Sequence, residues 1–99
     1  MLQRTHVEQS TDQLVQELRL SNRDMRVIRR GEVIRVDGAP ALSTYLSNTS
    51  PVGGRETDWL VTAECPDGLL FIVFTAPERD FQAYESPFHE MLRSVRIKR

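Results

Sequence analysis

The pattern of apolar and polar residues predicts a hairpin in the second half of the chain. The two types alternate over Thr57–Cys65, as they do in strands, and Pro66-Asp67-Gly68 predicts a turn. The next run, Leu69–Phe74, is apolar throughout, which is typical of a central strand covered on both faces. We therefore expect Phe71 and Val73 to lie in the core.

The first half of the chain predicts one helix followed by two short strands. Apolar residues recur at helical spacing near the N-terminus, which predicts a helix from about residues 6–11 to residue 20. Asn22 would end this helix in a left-handed conformation. Met25–Ile28 and Glu32–Val36 predict two strands separated by a glycine, and Asp37-Gly38 predicts a tight hairpin turn.

A further strand and a polar loop follow this turn. Ala41–Asn48 predicts a strand with Leu42 and Leu46 on one face and Tyr45 on the other. Thr49–Glu56 is polar and rich in glycine, which makes it the candidate binding loop of the chain.

The last part of the chain predicts two helical pieces and a short final strand. Thr75 with Glu78 predicts the start of the first piece, and Ser86-Pro87 predicts the start of the second, because proline suits the first helical position. An apolar stripe at helical spacing follows, formed by Phe88, Met91, Leu92 and Val95, and Val95–Lys98 predicts the strand. The predicted fold is α+β, a twisted and mostly antiparallel sheet with helices packed on it, in a single domain of residues 1–99.

Composition and charge exclude several classes of function. The 99 residues carry a formal net charge of −1, so we expect no nucleic-acid partner. No apolar run approaches the roughly 18–20 residues that span a bilayer, so we expect no membrane segment in this chain. The single cysteine, Cys65, excludes an internal disulfide.

Two candidate reactive sites lack the residues that their chemistry needs. The segment His89–Arg93 reads H-E-x-x-R, whereas a zinc-binding helix needs H-E-x-x-H, and a guanidinium does not ligate zinc. Cys65 could be a nucleophile with His89 or His6 as its base, but its apolar neighbours favour a small buried hydrophobic residue. We therefore expect no catalytic residue, no metal site and no cofactor in this chain.

The candidate binding residues lie in and around the polar loop. Asp58 and Trp59 follow the loop directly, and a tryptophan beside a loop can anchor a ligand or a partner. A core position for this tryptophan is the alternative interpretation. Asn48, Ser50 and Arg55 complete the set of candidates.

The succession of short motifs along the chain resembles a known domain. In order, the motifs are Asp37-Gly38-Ala39-Pro40-Ala41, Ser50-Pro51, Glu56-x-Asp58-Trp59-Leu60-Val61-Thr62, Asp67-Gly68-Leu69-Leu70-Phe71-x-Val73-Phe74-x-Ala76-Pro77-Glu78 and Phe88-x-x-Met91-Leu92-x-Ser94-Val95. From about Ser10 to Val95 it resembles the C-terminal, non-catalytic domain of bacterial HtpX-type gluzincin zinc metallopeptidases. It is similar, more loosely, to PsbP-like folds.

The resemblance implies a context and a function. In those peptidases the zinc ligands and the general-base glutamate lie on an upstream domain, so zinc belongs to the expected parent protein and no catalytic residue is carried over to this chain. The chain is then expected to be a C-terminal accessory domain that binds a protein substrate or partner, or packs against the upstream peptidase domain. The alternative is a free-standing PsbP-like module that binds a ligand or a protein and has no link to proteolysis.

The resemblance also bears on self-association. In the family, strand-like sequence precedes the first helix, whereas this chain begins almost at that helix. The sheet would then have an edge without its neighbour, and such an edge can pair with an identical edge. We therefore expect a homodimer through a sheet edge, opposed by the repulsion between arginines such as Arg26 and Arg35.

Overall fold

A four-stranded antiparallel sheet with one helix on each face makes up the chain in the computed structural model. The structure describes residues 6–66 and 68–97, without the side chains of residues 30 and 31. The elements are α1 (His6–Ser21), β1 (Arg26–Val36), β2 (Ala39–Thr49), β3 (Arg55–Cys65), β4 (Gly68–Pro77) and α2 (Phe81–Arg93), with a 3₁₀ turn at Glu78–Asp80. The strands lie in the order β1-β2-β3-β4, which confirms the predicted α+β class. No helix of the described residues is long and apolar enough to cross a bilayer.

The tight turns follow from local sequence. Asp37 and Gly38, between β1 and β2, have φ angles of 48° and 79°, the left-handed pair that a two-residue hairpin turn requires. The loop between β2 and β3 covers only residues 50–54, where the Ser50 N–H donates to the Gly54 carbonyl at 2.9 Å. The predicted loop Thr49–Glu56 is therefore shorter than expected, because its ends continue the strand ladder.

The segment from Arg26 to Val36 forms one strand instead of the two that were predicted. Its register against β2 shifts between Val27 and Arg29 and again between Arg29 and Glu32. Irregularities of this kind insert extra residues without ending the pairing. Both apolar segments of β1 therefore stay in register with β2, and the glycine between them does not end the strand.

Helix α1 covers the two central strands on one face of the sheet. Val15 of α1 packs with Leu46 of β2 and Leu60 of β3. The hydroxyls of Thr11 and Thr62 form a buried hydrogen bond of 2.6 Å, so the polar atoms under the helix are satisfied. The predicted helix is confirmed in place and length.

The end of α1 differs from the prediction in its capping geometry. Asp37 is the only non-glycine residue with a positive φ among the described residues, so Asn22 does not adopt the left-handed conformation. Its side-chain amide donates to the Leu18 carbonyl at 2.9 Å instead. This bond satisfies a carbonyl that the last turn would otherwise leave unpaired.

Helix α2 covers the opposite face with an aromatic cluster. The ring centroids of Trp59 and Phe74 are 5.1 Å apart, those of Phe74 and Phe88 are 5.0 Å apart, and those of Phe81 and Phe88 are 5.7 Å apart. Separations of this size are typical of favourable aromatic pairs. Leu92 belongs to the same buried cluster.

The two helical pieces predicted after β4 form one helix, with Pro87 inside it. Proline removes one backbone hydrogen bond from a helix interior. Phe81 and Phe88, one on each side of it in sequence, are both buried against the sheet, and this packing compensates for the lost bond. Thr75 does not cap this helix, since it lies within β4 and its hydroxyl donates to Asp58.

The last described residues are irregular, which corrects the predicted final strand over Val95–Lys98. Val95 and Ile97 pack against the α2-face cluster, and the Ile97 N–H donates to Asp37 Oδ2 at 2.9 Å. Lys98 lies outside the described residues. This contact holds the end of the chain beside the turn between β1 and β2.

The prediction of a central strand over Leu69–Phe74 is wrong. Strand β4 is an edge of the sheet, and Phe71 and Val73 are 50% and 42% exposed. Their side chains share the face of α1, but α1 packs on β2 and β3 and does not cover β4. An apolar run alone does not distinguish a strand covered on both faces from an edge strand with an uncovered face.

Two phenylalanines of β4 provide a test of this arrangement. We expect Phe74→Ala to lower the free energy of unfolding by about 3–5 kcal/mol, because Phe74 is only 8% exposed and contacts two aromatic rings. Phe71→Ala should cost less than about 1 kcal/mol, because half of this side chain is already in water. Guanidinium denaturation at low micromolar protein concentration measures both; equal losses would contradict the edge position of β4.

Candidate binding groove

An open groove of about 440 Å³ lies on the α2 face of the sheet, between β1 and α2. Its lining residues come from three parts of the fold: Glu32, Ile34, Arg35 and Asp37 from β1 and its turn, Ser43, Tyr45 and Trp59 from β2 and β3, and His89, Leu92 and Arg93 from α2. The groove exists because α2 packs towards β4 and leaves the half of this face near β1 uncovered.

Trp59 supports the floor of the groove. It is 2% exposed, and its indole N–H donates to the Ser43 hydroxyl at 2.6 Å. Tyr45 stacks beside it, with ring centroids 6.0 Å apart and an interplanar angle of 11°. The His89 ring lies 4.5 Å from the Trp59 ring, from the opposite wall. The surface that a ligand meets is therefore formed by Tyr45 and His89, both positioned by a buried tryptophan.

The environment of the Tyr45 hydroxyl favours its neutral form. Burial is the largest cause that raises the pKa of Tyr45 above its ordinary value of 10.0, and the negative charge of Glu85 adds to it. The Arg29 guanidinium lies over the same ring, 5.9 Å from its centroid. Tyr45 thus offers an aromatic face and a neutral hydroxyl that can donate or accept a hydrogen bond.

The charged side chains of the groove differ in how far they are already engaged. Arg35 donates to the Gly38 carbonyl at 3.0 Å, and Asp37 accepts from the Ile97 N–H. Glu32 forms a long ion pair of 4.0 Å with Arg29. The side chain of Arg93 is exposed and makes no ion pair or hydrogen bond within the described part of the chain, whereas its backbone carbonyl accepts a hydrogen bond from Arg96. The Arg93 guanidinium is the group of the groove most available for an anionic ligand group.

The structure separates the two adjacent residues Asp58 and Trp59. Successive side chains of a strand point to opposite faces, so Asp58 lies on the α1 face, away from the groove. It is buried and accepts a hydrogen bond of 2.9 Å from the Thr75 hydroxyl. Of the five predicted binding residues, Trp59 alone lines the groove.

The other predicted binding residues lie near the loop between β2 and β3. Asn48 donates to the Asn22 side chain at 3.2 Å, which joins the end of β2 to the end of α1. Ser50 and Arg55 line a separate depression of about 510 Å³. The guanidinium of Arg55 already donates to Ser47 Oγ at 2.8 Å and to Thr49 Oγ1 at 3.2 Å.

These contacts give Asn48 and Arg55 structural roles, and a ligand at either residue would have to displace a bond within the chain. The depression beside Ser50 has no aromatic side chain in its lining. A binding role for Asp58, Asn48, Ser50 and Arg55 stays a prediction. The groove is the better candidate, because it combines aromatic surface with an unengaged cation.

Sequence reasoning missed Tyr45, His89 and Arg93 as parts of one site. The sequence pattern does place these residues in two pairs. Tyr45 shares a strand face with Ser43, and His89 and Arg93 lie four residues apart, on the same side of one helix. The missing information was the position of α2 across the sheet. The two roles that the sequence suggests for His89, a zinc ligand in H-E-x-x-R and a base for Cys65, do not point to the groove.

The candidate Cys–His pairs are not assembled. Cys65 is half-buried at the end of β3, whereas His89 packs on Trp59, six residues away along the strand, or about 20 Å. His6 contacts Glu64, whose side chain points to the opposite face from that of Cys65. Neither histidine is therefore placed to act as the base for the thiol.

A metal site is also not assembled in the part of the chain that the structure describes. No group of three or more His, Cys, Asp or Glu side chains is placed there to hold an ion. The absence of zinc from this chain stays a prediction, which metal analysis of untagged protein checks.

A carboxyl pair lies on the α1 face, away from the groove. Glu56 and Asp58 point the same way from β3, and a hydrogen bond to Asp58 is the largest of the causes that raise the pKa of Glu56 to about 7. Burial and the negative charge of Asp58 are the other two causes of this raised pKa. Below pH about 7 Glu56 therefore keeps its proton, and this proton is shared with Asp58 through their hydrogen bond.

No model of a known protein family matches this sequence, and no curated protein matches it significantly.

The shared proton makes stability depend on pH. The folded state keeps the Glu56 proton up to pH about 7, whereas the unfolded chain releases it near the ordinary pKa of 4.5. The stabilisation is full below the lower pKa and is lost as the pH rises through the higher one. We expect Glu56→Gln, which keeps a donor towards Asp58 and has no proton to lose, to be more stable than the wild type at pH about 8.

Denaturation curves across this pH range measure the difference between wild type and variant. Glu17→Gln, at an exposed position of α1, is the matched control and should follow the wild type. A difference between wild type and Glu56→Gln that does not change with pH would contradict the shared proton.

Proposed function

We propose that this chain is a non-catalytic binding module whose groove takes a peptide segment with an aromatic or apolar side chain and a carboxylate. The observation that carries the proposal is the groove itself, where Tyr45 and His89 are held against Trp59 and Arg93 is unengaged. Aromatic and arginine side chains are the types that dominate the energetics of binding sites.

The shape and charge of the groove favour a peptide over a compact hydrophobic ligand. One wall is the hairpin strand β1 and the other is helix α2, so the groove is an open channel with charged residues of both signs along it. An apolar ligand without polar groups would desolvate the Arg93 guanidinium and give it no partner. A peptide supplies both an apolar side chain for Tyr45 and polar groups for the rim.

The resemblance to HtpX-type zinc metallopeptidases supports a more specific context. We propose that the chain is an accessory domain of such a peptidase and that its groove holds a segment of the protein substrate or of the upstream peptidase domain. The zinc and the catalytic residues then belong to that upstream domain. Sequencing the coding region upstream of Met1 tests this context: an H-E-x-x-H helix in the same reading frame is expected, and a complete reading frame without one would contradict it.

A free-standing PsbP-like binding module is the second candidate, and one observation favours it. Both faces of the central strands are covered by helices of this chain. The core beneath the groove is therefore closed without an attached domain, as a free-standing module requires. Pairing of two copies through a sheet edge stays a separate proposal, compatible with both candidates.

Peptide selection tests binding in the groove. We expect the folded chain to select, from a random peptide display library, sequences in which an aromatic residue lies near Asp or Glu. Arg93→Glu should weaken the binding of a selected peptide by about tenfold, because charge reversal replaces an attraction by a repulsion. Tyr45→Ala should weaken it at least as much, and fluorescence anisotropy of the labelled peptide measures each Kd.

Arg79→Glu is the matched control, because Arg79 is exposed and lines the depression near the loop instead of the groove. It should leave the Kd unchanged. Selection of no peptide, or an equal loss for Arg79→Glu and Arg93→Glu, would overturn the proposed binding site.

A further inference from the structure

We propose that strand β4 pairs with β4 of a second copy of this chain, antiparallel, so that the two sheets become one. The inference rests on the edge of the sheet opposite the groove and is independent of what the groove binds. Three observations carry it: the composition of β4, the exposed side chains along it and the match of the strand with itself.

The two edges of the sheet differ sharply in charge. Strand β1 carries several charged side chains, including Arg26, Arg29, Glu32 and Arg35, and charges of this kind discourage edge-to-edge pairing. Strand β4, with the sequence GLLFIVFTAP, has no charged residue over its whole length. Only the proline at its end limits pairing there. Among the described residues, one edge of the sheet is thus protected by charge, and the other edge has neither charge nor a neighbouring strand.

The open edge also exposes apolar surface. Phe71 and Val73 point to the same face, two residues apart, and are about half exposed beside α1. Leu69, next along the same face, is half-buried. An adjacent strand would cover these side chains and would pair the free backbone groups of β4 at the same time.

The strand is complementary to itself in antiparallel pairing. A two-fold axis perpendicular to the sheet keeps each face of one copy continuous with the same face of the other. Residues that share a face must then be opposite each other, which excludes every second register. With Ile72 on the axis, Phe71 lies opposite Val73 of the second copy, and Leu70 lies opposite Phe74. Aromatic and β-branched pairs of this type stabilise antiparallel strands.

The small area of the β4–β4 contact predicts a weak dimer, and its position keeps it away from the groove. The contact is one strand and a few side chains, which is less than the roughly 800 Å² per partner of a standard interface, so association should depend on protein concentration. The groove lies towards β1, at the other side of the sheet. Dimerisation therefore leaves both grooves open, and the dimer presents two binding sites.

Sedimentation velocity from micromolar to millimolar concentration tests the proposal. The wild type should pass from monomer to dimer over this range. Val73→Lys places a charge at the pairing edge and should weaken the dimer by about tenfold or more. Val33→Lys is the matched control, because Val33 is 71% exposed on the opposite edge strand, and this variant should dimerise like the wild type.

A crosslink defines the register and remains informative if Val73→Lys fails to fold. In a Cys65→Ser background, Ile72→Cys should form an intermolecular disulfide, because opposite residues of antiparallel strands have Cα atoms about 4.5–5.5 Å apart, within disulfide range. Val33→Cys in that background should not. A wild type that stays monomeric at millimolar concentration, loss of the dimer in Val33→Lys, or equal crosslinking of both cysteine variants would overturn the proposal.

Discussion

The hydrogen bond from the Trp59 indole N–H to the Ser43 hydroxyl fixes the side chain on which the rest of the structure depends. Trp59 lies on the central strand β3, and its ring contacts Tyr45 on β2, Phe74 on β4 and His89 on α2. A buried indole without a partner for its N–H would lose free energy comparable to that of a hydrogen bond, so the bond sets one orientation of the ring. In this orientation the ring contacts His89 of α2, and α2 packs towards β4 and leaves the groove open near β1.

Local signals in the sequence predicted the elements that local physics controls. The turn at Asp37-Gly38 was predicted because a two-residue hairpin turn needs two successive residues with positive φ, and aspartate followed by glycine adopts this conformation readily. Helix α1 was predicted because its apolar stripe continues across the whole helix. The predictions that were wrong concern features that depend on contacts between distant parts of the chain. The apolar run of β4 looked central because the sequence does not show that α1 covers β2 and β3 only. Pro87 looked like a helix start because the packing of Phe81 and Phe88, which keeps the helix continuous, is tertiary.

The candidate site was predictable only in part for the same reason. Trp59 attracted attention as the single tryptophan, but its neighbour Asp58 points to the opposite face, where it joins Glu56 and Thr75. The residues that do join Trp59 are its cross-strand neighbour Tyr45 and His89 from the last helix. Cross-strand pairing and helix position depend on topology, which spacing along the chain does not encode. Aromatic residues in the predicted strands indicate that a binding groove could have an aromatic floor. Which of these rings form the floor depends on the fold.

We expect ligands to bind over the floor of the groove, which Trp59 and Ser43 support. Because Trp59 is the only tryptophan, its indole N–H gives a single, well-separated signal in a ¹H–¹⁵N correlation spectrum. Titration with a peptide that the folded chain selects should shift this indole signal together with the backbone amides of Ser43, Tyr45 and His89. It should leave the amides of Gly53 and Gly54, in the loop between β2 and β3, unchanged. Shifts confined to that loop, with an unperturbed indole signal, would contradict the account.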